Sequence, residues 1–320
     1  MRLRSIFIAL TIMWVFLLPA QSEAIHFEPG QYEKDLIYDG IRRTYIVHIP
    51  PQYDPQKALP LVLVFHGGGG NAKQALDSYG LVEKANREGF VLVAPNGTGR
   101  LKKRMLTWNV GFGFGYAMRH NIDDIGFTRK LIKEIENTIR IDPKRIFATG
   151  ISNGGILCHF LAAELSDTIA AIAPVVATIG GKKSNDEPYI LPSQPNEAVS
   201  VIAFNGLLDK HIPYTGGLQK KSFGKPVWMK SAQEMHAFWV KVNRCASIPH
   251  IEWNNHDEYE KITYDKGIND SEVIQYLIFD QGHAWPGGKK PRLGADTPSK
   301  TVNATDLMWE FFKKHPKLGG

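Results

Sequence analysis

Two cysteines, Cys158 and Cys245, are all that the 320 residues contain. That scarcity excludes a disulfide-stapled miniature scaffold, which needs several bridges in place of a large core. It also excludes a cysteine-rich zinc site, and the 11 histidines fall without the paired spacing that a metal centre requires. Charge of one sign is scarce too. The formal net charge is +6, and the basic pairs Lys102-Lys103, Lys182-Lys183, Lys220-Lys221 and Lys289-Lys290 are dispersed as on solvated loops. No aromatic–basic platform or zinc-finger spacing points to nucleic acid. Beyond residue 18 no apolar run approaches the roughly 20 residues that cross a bilayer. The glycine-rich stretch His66-Gly67-Gly68-Gly69-Gly70 is neither G-x-G-x-x-G nor followed by G-K-[ST], so a nucleotide cofactor is not indicated. The reading calls for no cofactor and no metal.

What is present begins with a leader. Arg2 and Arg4 precede the apolar run Ile6 to Leu18, and Ser22-Glu23-Ala24 places small residues where a signal peptidase reads. These features predict a secretory signal peptide over 1–24 and a secreted or periplasmic product. The alternative is an uncleaved anchor, for which the run is short. Once the leader is cut, no stable membrane insertion is expected. Residues 25–320 then read as a single catalytic domain. Export would permit a Cys158–Cys245 bond, but Cys158 lies in an apolar run where a free buried thiol is common, and the pairing stays open.

The elements alternate. Tyr32 to Tyr38 and Ile41 to Ile49 flank Asp39-Gly40, a hairpin signal. Leu61 to Phe65, Gly89 to Pro95, Arg145 to Thr149, Ile169 to Val176 and Val199 to Phe204 read as buried strands, and Ile251 to Tyr264 and Ser271 to Phe279 as late ones. Helices are predicted over 74–88, 123–140, 229–242 and 304–314. Gly180 to Glu197 reads as a polar connection. This succession predicts an α/β fold with a mostly parallel sheet and helices on both faces.

Between the strand ending at Thr149 and the apolar helix starting near Ile156 lies Gly150-Ile151-Ser152-Asn153-Gly154-Gly155. A G-x-S-x-G at a strand-to-helix turn lifts a serine hydroxyl clear of the sheet and aims helix N–H groups at it. Ser152 is therefore the expected nucleophile. A hydroxyl needs a base, and the base needs an orienting acid. Asp209, just past the strand ending at Phe204, is the expected acid; Asp186, Glu187 and Asp257 lack a buried strand to deliver them. His283, just past the strand ending at Phe279, is the expected base. His211 is too near Asp209 in the chain, His256 sits in a polar loop, and His159 reads as a core or surface histidine. For the oxyanion hole the reading selects the backbone N–H groups of Asn153 and Gly68, with Gly67 as the alternative to Gly68. Trp108, Phe112, Phe114 and Trp285 are expected to line the substrate cleft.

These residues together resemble the secreted polyhydroxybutyrate depolymerase-like and feruloyl esterase-like branch of the α/β-hydrolases. The resemblance spans most of residues 35–290. It rests on Asp39-Gly40, Arg43-Thr44-Tyr45, His66-Gly67-Gly68, Trp108-Asn109 and Asp123-Asp124-Ile125-Gly126-Phe127. The elbow, Gly206, Asp209, Pro213-Tyr214 and Gly282-His283-Ala284-Trp285-Pro286-Gly287 complete it. One departure is Asn205 where H-G is frequent. The resemblance implies the α/β-hydrolase fold, a triad of Ser152, Asp209 and His283, and hydrolysis of carboxylic esters through an acyl-enzyme. The first expectation for the substrate is a small or oligomeric hydroxyalkanoate ester of the polyhydroxybutyrate type. The alternative is a feruloyl or acetyl ester on plant polysaccharide. A serine peptidase and a non-catalytic binding protein are the remaining readings.

Overall fold

The computed structural model describes residues 27–101, 104–219, 226–254, 256 and 258–318. The leader read over 1–24 and Asp257 lie outside the described residues. The chain opens with the hairpin β1 (Gly30–Tyr38) and β2 (Ile41–Ile49), paired antiparallel from Gly30↔Ile49 to Tyr38↔Ile41. Its turn has φ of 48° at Asp39 and 70° at Gly40, the left-handed pair that a two-residue hairpin turn demands.

The alternating part follows: β3 (Leu59–Phe65), α1 (Ala72–Ser78), α2 (Leu81–Glu88), β4 (Val91–Pro95), α3 (Tyr116–Arg119), α4 (Asp124–Thr138), β5 (Ile141–Ile151), α5 (Asn153–Glu164) and β6 (Ala171–Val175). Then come β7 (Gly181–Lys182), β8 (Ser200–Gly206), β9 (Gly217–Gln219), β10 (Val227–Met229), α6 (Ala232–Asn243), β11 (His250–Trp253), β12 (Tyr259–Tyr264), β13 (Val273–Ile278) and α7 (Ala304–Lys314). Ten strands form one sheet in the order β1-β2-β4-β3-β5-β6-β8-β13-β12-β11. From β4 to β13 neighbouring strands run parallel, and both edges are antiparallel.

The central strands alternate their side chains between two cores. Leu61, Leu63 and Phe65 face one core with Phe127, Leu161 and Trp239 from α4, α5 and α6. Val62 and Val64 face the other with Leu76, Trp309 and Phe312 from α1 and α7. Both faces are thus covered, which is why these strands read as unbroken apolar runs.

Three local expectations change. The helix expected over 74–88 is two helices that meet at Tyr79-Gly80. The run 251–264 is a hairpin of two strands, with His250↔Thr263 as its outer pair. The polar connection after Gly180 contributes β7 to a small three-stranded sheet with β10 and β9. Met229, expected to start a helix, lies in that sheet; α6 begins after Ser231, where a reciprocal Ser231–Glu234 capping box fixes its start.

Candidate active site

Four neighbouring segments leave the carboxyl ends of parallel strands on one edge of the sheet: His66 after β3, Ser152 after β5, Asp209 after β8 and His283 after β13. In open α/β sheets that edge is where ligands bind. Ser152 has φ 55° and ψ −122°, a conformation that costs a non-glycine residue on the order of 1–3 kcal/mol. The turn is held by Ser152 N–H to Val175 O at 2.9 Å and Ile156 N–H to Ser152 O at 2.8 Å. The motif glycines are needed for space. A Cβ on Gly154 would lie 2.4 Å from Phe65 O, and one on Gly150 2.7 Å from the carbonyl carbon of Gly154.

His283 Nδ1 donates to Asp209 Oδ2 at 2.7 Å. A carboxylate can only accept here, so Nδ1 carries a proton, and in the neutral ring Nε2 is the lone-pair nitrogen. The other carboxylate oxygen, Oδ1, accepts the backbone N–H groups of His211 at 2.8 Å and Ile212 at 2.9 Å. The Asp209 side chain is almost wholly buried and that of His283 is 17% exposed. His283 therefore meets the cavity while Asp209 does not. Asp296, which the sequence reading did not single out, accepts the backbone N–H of His283 through Oδ2 at 2.6 Å.

The glycine loop packs against the elbow. A Cβ built on Gly67 would lie 3.6 Å from Cβ of Ser152, and one on Gly68 3.6 Å from Cβ of Asn153. His66 sets the loop. Gly97 N–H donates to its Nε2 at 3.0 Å, so the proton is on Nδ1, which donates to Gly67 O at 2.8 Å. With that carbonyl turned to the His66 ring, the N–H of the same trans peptide, on Gly68, points the opposite way. The Gly67 N–H is directed at the Tyr79 hydroxyl, and the Gly68 N–H has no protein acceptor among the described residues. Asn153 opens α5, where the first N–H groups lack intrahelical partners. Burial pushes the His66 imidazole down to about 4, so it stays neutral and keeps accepting from Gly97.

Trp108 does not line the cleft, contrary to expectation. It is fully buried, its indole N–H donates to His66 O at 2.8 Å, and its ring packs edge-on against Phe65. A large aromatic with one donor at the base of a glycine loop fills space and fixes a carbonyl. The side chain of Asn153 completes the brace: Oδ1 accepts Trp108 N–H at 2.8 Å and Nδ2 donates to Trp108 O at 3.2 Å. Trp285 is likewise mainly a packing residue. It is 2% exposed, stacks on Tyr79 with ring centroids 4.2 Å apart, and donates to Thr305 Oγ1 at 3.0 Å, and it also lines the cavity beside His283, as expected.

Two cavities meet at Ser152. The smaller, about 30 Å³, is apolar, with Val110, Phe112, Phe114, Ile156, Ile212 and Met229 in its wall. The larger, about 260 Å³, lies between the glycine loop and His283 and carries the polar groups Gln74, Lys289, Arg292 and Asp296. His256 is exposed between β11 and β12, Asp186 and Glu187 are exposed, and His159 is buried with Nδ1 accepting the indole N–H of Trp239 at 3.0 Å. Cys158 and Cys245 are free thiols. Among the described residues no cluster of three or more His, Cys, Asp or Glu could hold a metal, and no helix is long and apolar enough to cross a membrane.

A strained serine at a strand-to-helix elbow, with acid and histidine following on later strands of a mostly parallel sheet, decides the architecture. The protein has the α/β-hydrolase fold. Feruloyl esterase B of Piromyces equi is 32% identical over 221 residues, 68% of this chain but 39% of that protein. The chain thus spans well under half the length of that relative. Probable feruloyl esterase C of Aspergillus niger is 23% identical over 302 residues, covering 89% of this chain and 90% of the relative. Among solved structures, an acetyl xylan esterase from Aspergillus awamori superposes with TM-score 0.54 at 13% identity over 85% of this chain and 94% of that one, a likeness of fold. No protein-family model matches the chain.

Proposed function

We propose that this α/β-hydrolase is a serine esterase that cleaves feruloyl or acetyl esters carried on saccharides. The observation that carries it is the 2.7 Å bond between His283 and the buried Asp209, with His283 on the wall of the cavity that Ser152 also lines. In this reading Ser152 attacks the ester carbonyl and Nε2 of His283 takes its proton. The N–H groups of Gly68 and Asn153 receive the oxyanion, and His283 returns the proton to the leaving alcohol. Water, activated by the same nitrogen, then releases the acid. Phe112 and Phe114 border the acyl side.

The sequence resemblance points first to hydroxyalkanoate esters and second to feruloyl or acetyl esters. The relatives named above favour the second. An acetyl group suits the 30 Å³ apolar cavity as it stands; a feruloyl ring there requires Phe114 to move, and the polar 260 Å³ cavity is left to the alcohol. The reading includes export directed by residues 1–24 and one catalytic domain over 25–320. The test is a panel of methyl ferulate, an aryl acetate, a feruloylated arabino-oligosaccharide and a hydroxybutyrate oligomer. Wild-type protein should turn over feruloyl or acetyl esters fastest and be labelled by a fluorophosphonate, and Ser152→Ala should lose both activities. Highest kcat/KM on the hydroxybutyrate oligomer would return the first expectation, and full turnover by Ser152→Ala would remove the nucleophile.

A further inference from the structure

Ser152 and His211 are the two residues that line both cavities. His211 stands on the loop after β8, where its backbone N–H is fixed by Asp209 Oδ1. Its ring centroid lies 4.9 Å from that of His283, tilted by 44°. No protein group among the described residues hydrogen-bonds its ring. An exposed imidazole with both nitrogens unclaimed, beside His283 and at the junction of the two cavities, is placed to touch whatever spans them. An ester spans them, with its acyl part on one side of Ser152 and its alcohol on the other.

We propose that His211 is a substrate-contacting residue that reads a hydroxyl of the alcohol portion close to the ester oxygen. The site thereby favours esters of polyols, saccharides above all, over esters of simple alkyl alcohols. This rests on the esterase reading above and deepens it. His211 is not a second base, because no carboxylate meets its ring; Asp209 holds its backbone. Its ionisation suits a neutral reader. Burial first, and then repulsion between the two imidazoliums of His211 and His283, push the imidazole below its ordinary value, against Asp209 and Asp296, which pull it up. A neutral imidazole offers one donor and one acceptor, the complement of a sugar hydroxyl. A methyl or ethyl ester offers it nothing. The polar groups of the larger cavity suit the same alcohol portion.

The experiment compares methyl ferulate with a feruloyl arabinofuranoside, which share one acyl-enzyme. His211→Phe should lower kcat/KM for the sugar ester about 2- to 10-fold, the worth of one neutral hydrogen bond. The loss on methyl ferulate should be smaller than that on the sugar ester by about 2-fold or more. The deacylation rate, read by stopped flow, should not change, since the alcohol has left by then. His211→Gln, which can still donate and accept, should keep most of the sugar preference, and circular dichroism checks that each variant is folded. An equal loss on both esters would show that His211 acts only through His283 and would overturn the proposal while leaving the esterase reading intact. An unchanged sugar preference in His211→Phe would overturn it as well. If wild-type protein hydrolyses neither ester, the esterase reading fails and the proposal fails with it.

Discussion

The side-chain amide of Asn153 grips both backbone polar groups of Trp108, accepting its N–H at 2.8 Å and donating to its carbonyl at 3.2 Å. Trp108 in turn holds the His66 carbonyl through its indole. The helix that starts beside Ser152 and the glycine loop facing it are therefore one rigid piece. Asn153→Ala leaves two buried backbone groups without partners, which costs about 1–3 kcal/mol for each. The thermal midpoint should fall by several degrees. Turnover should also slow by about an order of magnitude or more, as the Gly68 N–H drifts from its position. Calorimetry and ester assays on the same preparation check both. Unchanged turnover in a destabilised variant would separate the brace from the oxyanion site.

Beneath that piece lies a buried ion pair. Arg43 Nη2 meets Asp124 Oδ1 at 2.6 Å, Asp124 Oδ2 accepts Asn109 N–H at 2.7 Å, and the guanidinium lies 3.8 Å from the centre of the Phe127 ring. Both side chains are nearly inaccessible. Removing one partner strands a buried charge, at a cost of about 3–5 kcal/mol. Arg43→Met should therefore destabilise strongly. Adding Asp124→Asn should restore part of the loss, because the amide oxygen can still accept from Asn109. Urea denaturation of the two variants is the measurement, and an additive double mutant would show that the pair is not coupled.

The sequence is informative where chemistry and topology coincide. Ser152, Asp209 and His283 each follow a β-favouring, mostly apolar run, and the structure shows why such runs end at the same sheet edge. It is less informative about the aromatics. Trp108 and Trp285 stand beside the elements of the site in the chain, yet proximity in sequence does not say which way a ring points. An indole satisfied by a carbonyl, as in Trp108, looks the same in one dimension as an indole lining a cleft. Arg43, Asn109 and Asp124 are visible only as marks of a resemblance. Their common role is a contact between positions 81 residues apart, which no local pattern encodes. Asp296 gives no signal at all, since an exposed loop aspartate has no periodicity to betray it.

Acid should unfold the protein through its buried imidazoles. Burial lowers His66 to about 4, and His159 and His236 to about 3, against an ordinary value near 6.5. Each folded-state pKa lies below its unfolded one, so between these values the unfolded chain binds more protons and stability rises with pH. The contribution is full above about 6.5 and is lost progressively as pH falls toward 3–4, on the order of 3–5 kcal/mol per histidine. Denaturation midpoints measured from pH 7.5 down to 4 should fall steeply below about 6. His159→Gln should flatten that slope, and a slope unaltered by this change would assign the acid sensitivity elsewhere.

The proposed nucleophile is itself a stability defect. Ser152 holds φ 55° and ψ −122°, where a side chain is strained and glycine is at ease. Ser152→Ala keeps the Cβ and hence the strain, so its thermal midpoint should match that of the parent. Ser152→Gly removes the Cβ. Relief on the order of 1–3 kcal/mol should outweigh the added freedom of the unfolded chain, roughly 0.5–1 kcal/mol. The glycine variant should therefore be inactive yet more stable than either by about 1 kcal/mol, or a few degrees in thermal midpoint. Calorimetry of the three proteins under one condition decides it. Equal stability of Ser152→Gly and Ser152→Ala would mean that the elbow backbone relaxes in solution, and that the strain is not what keeps the hydroxyl raised above the sheet.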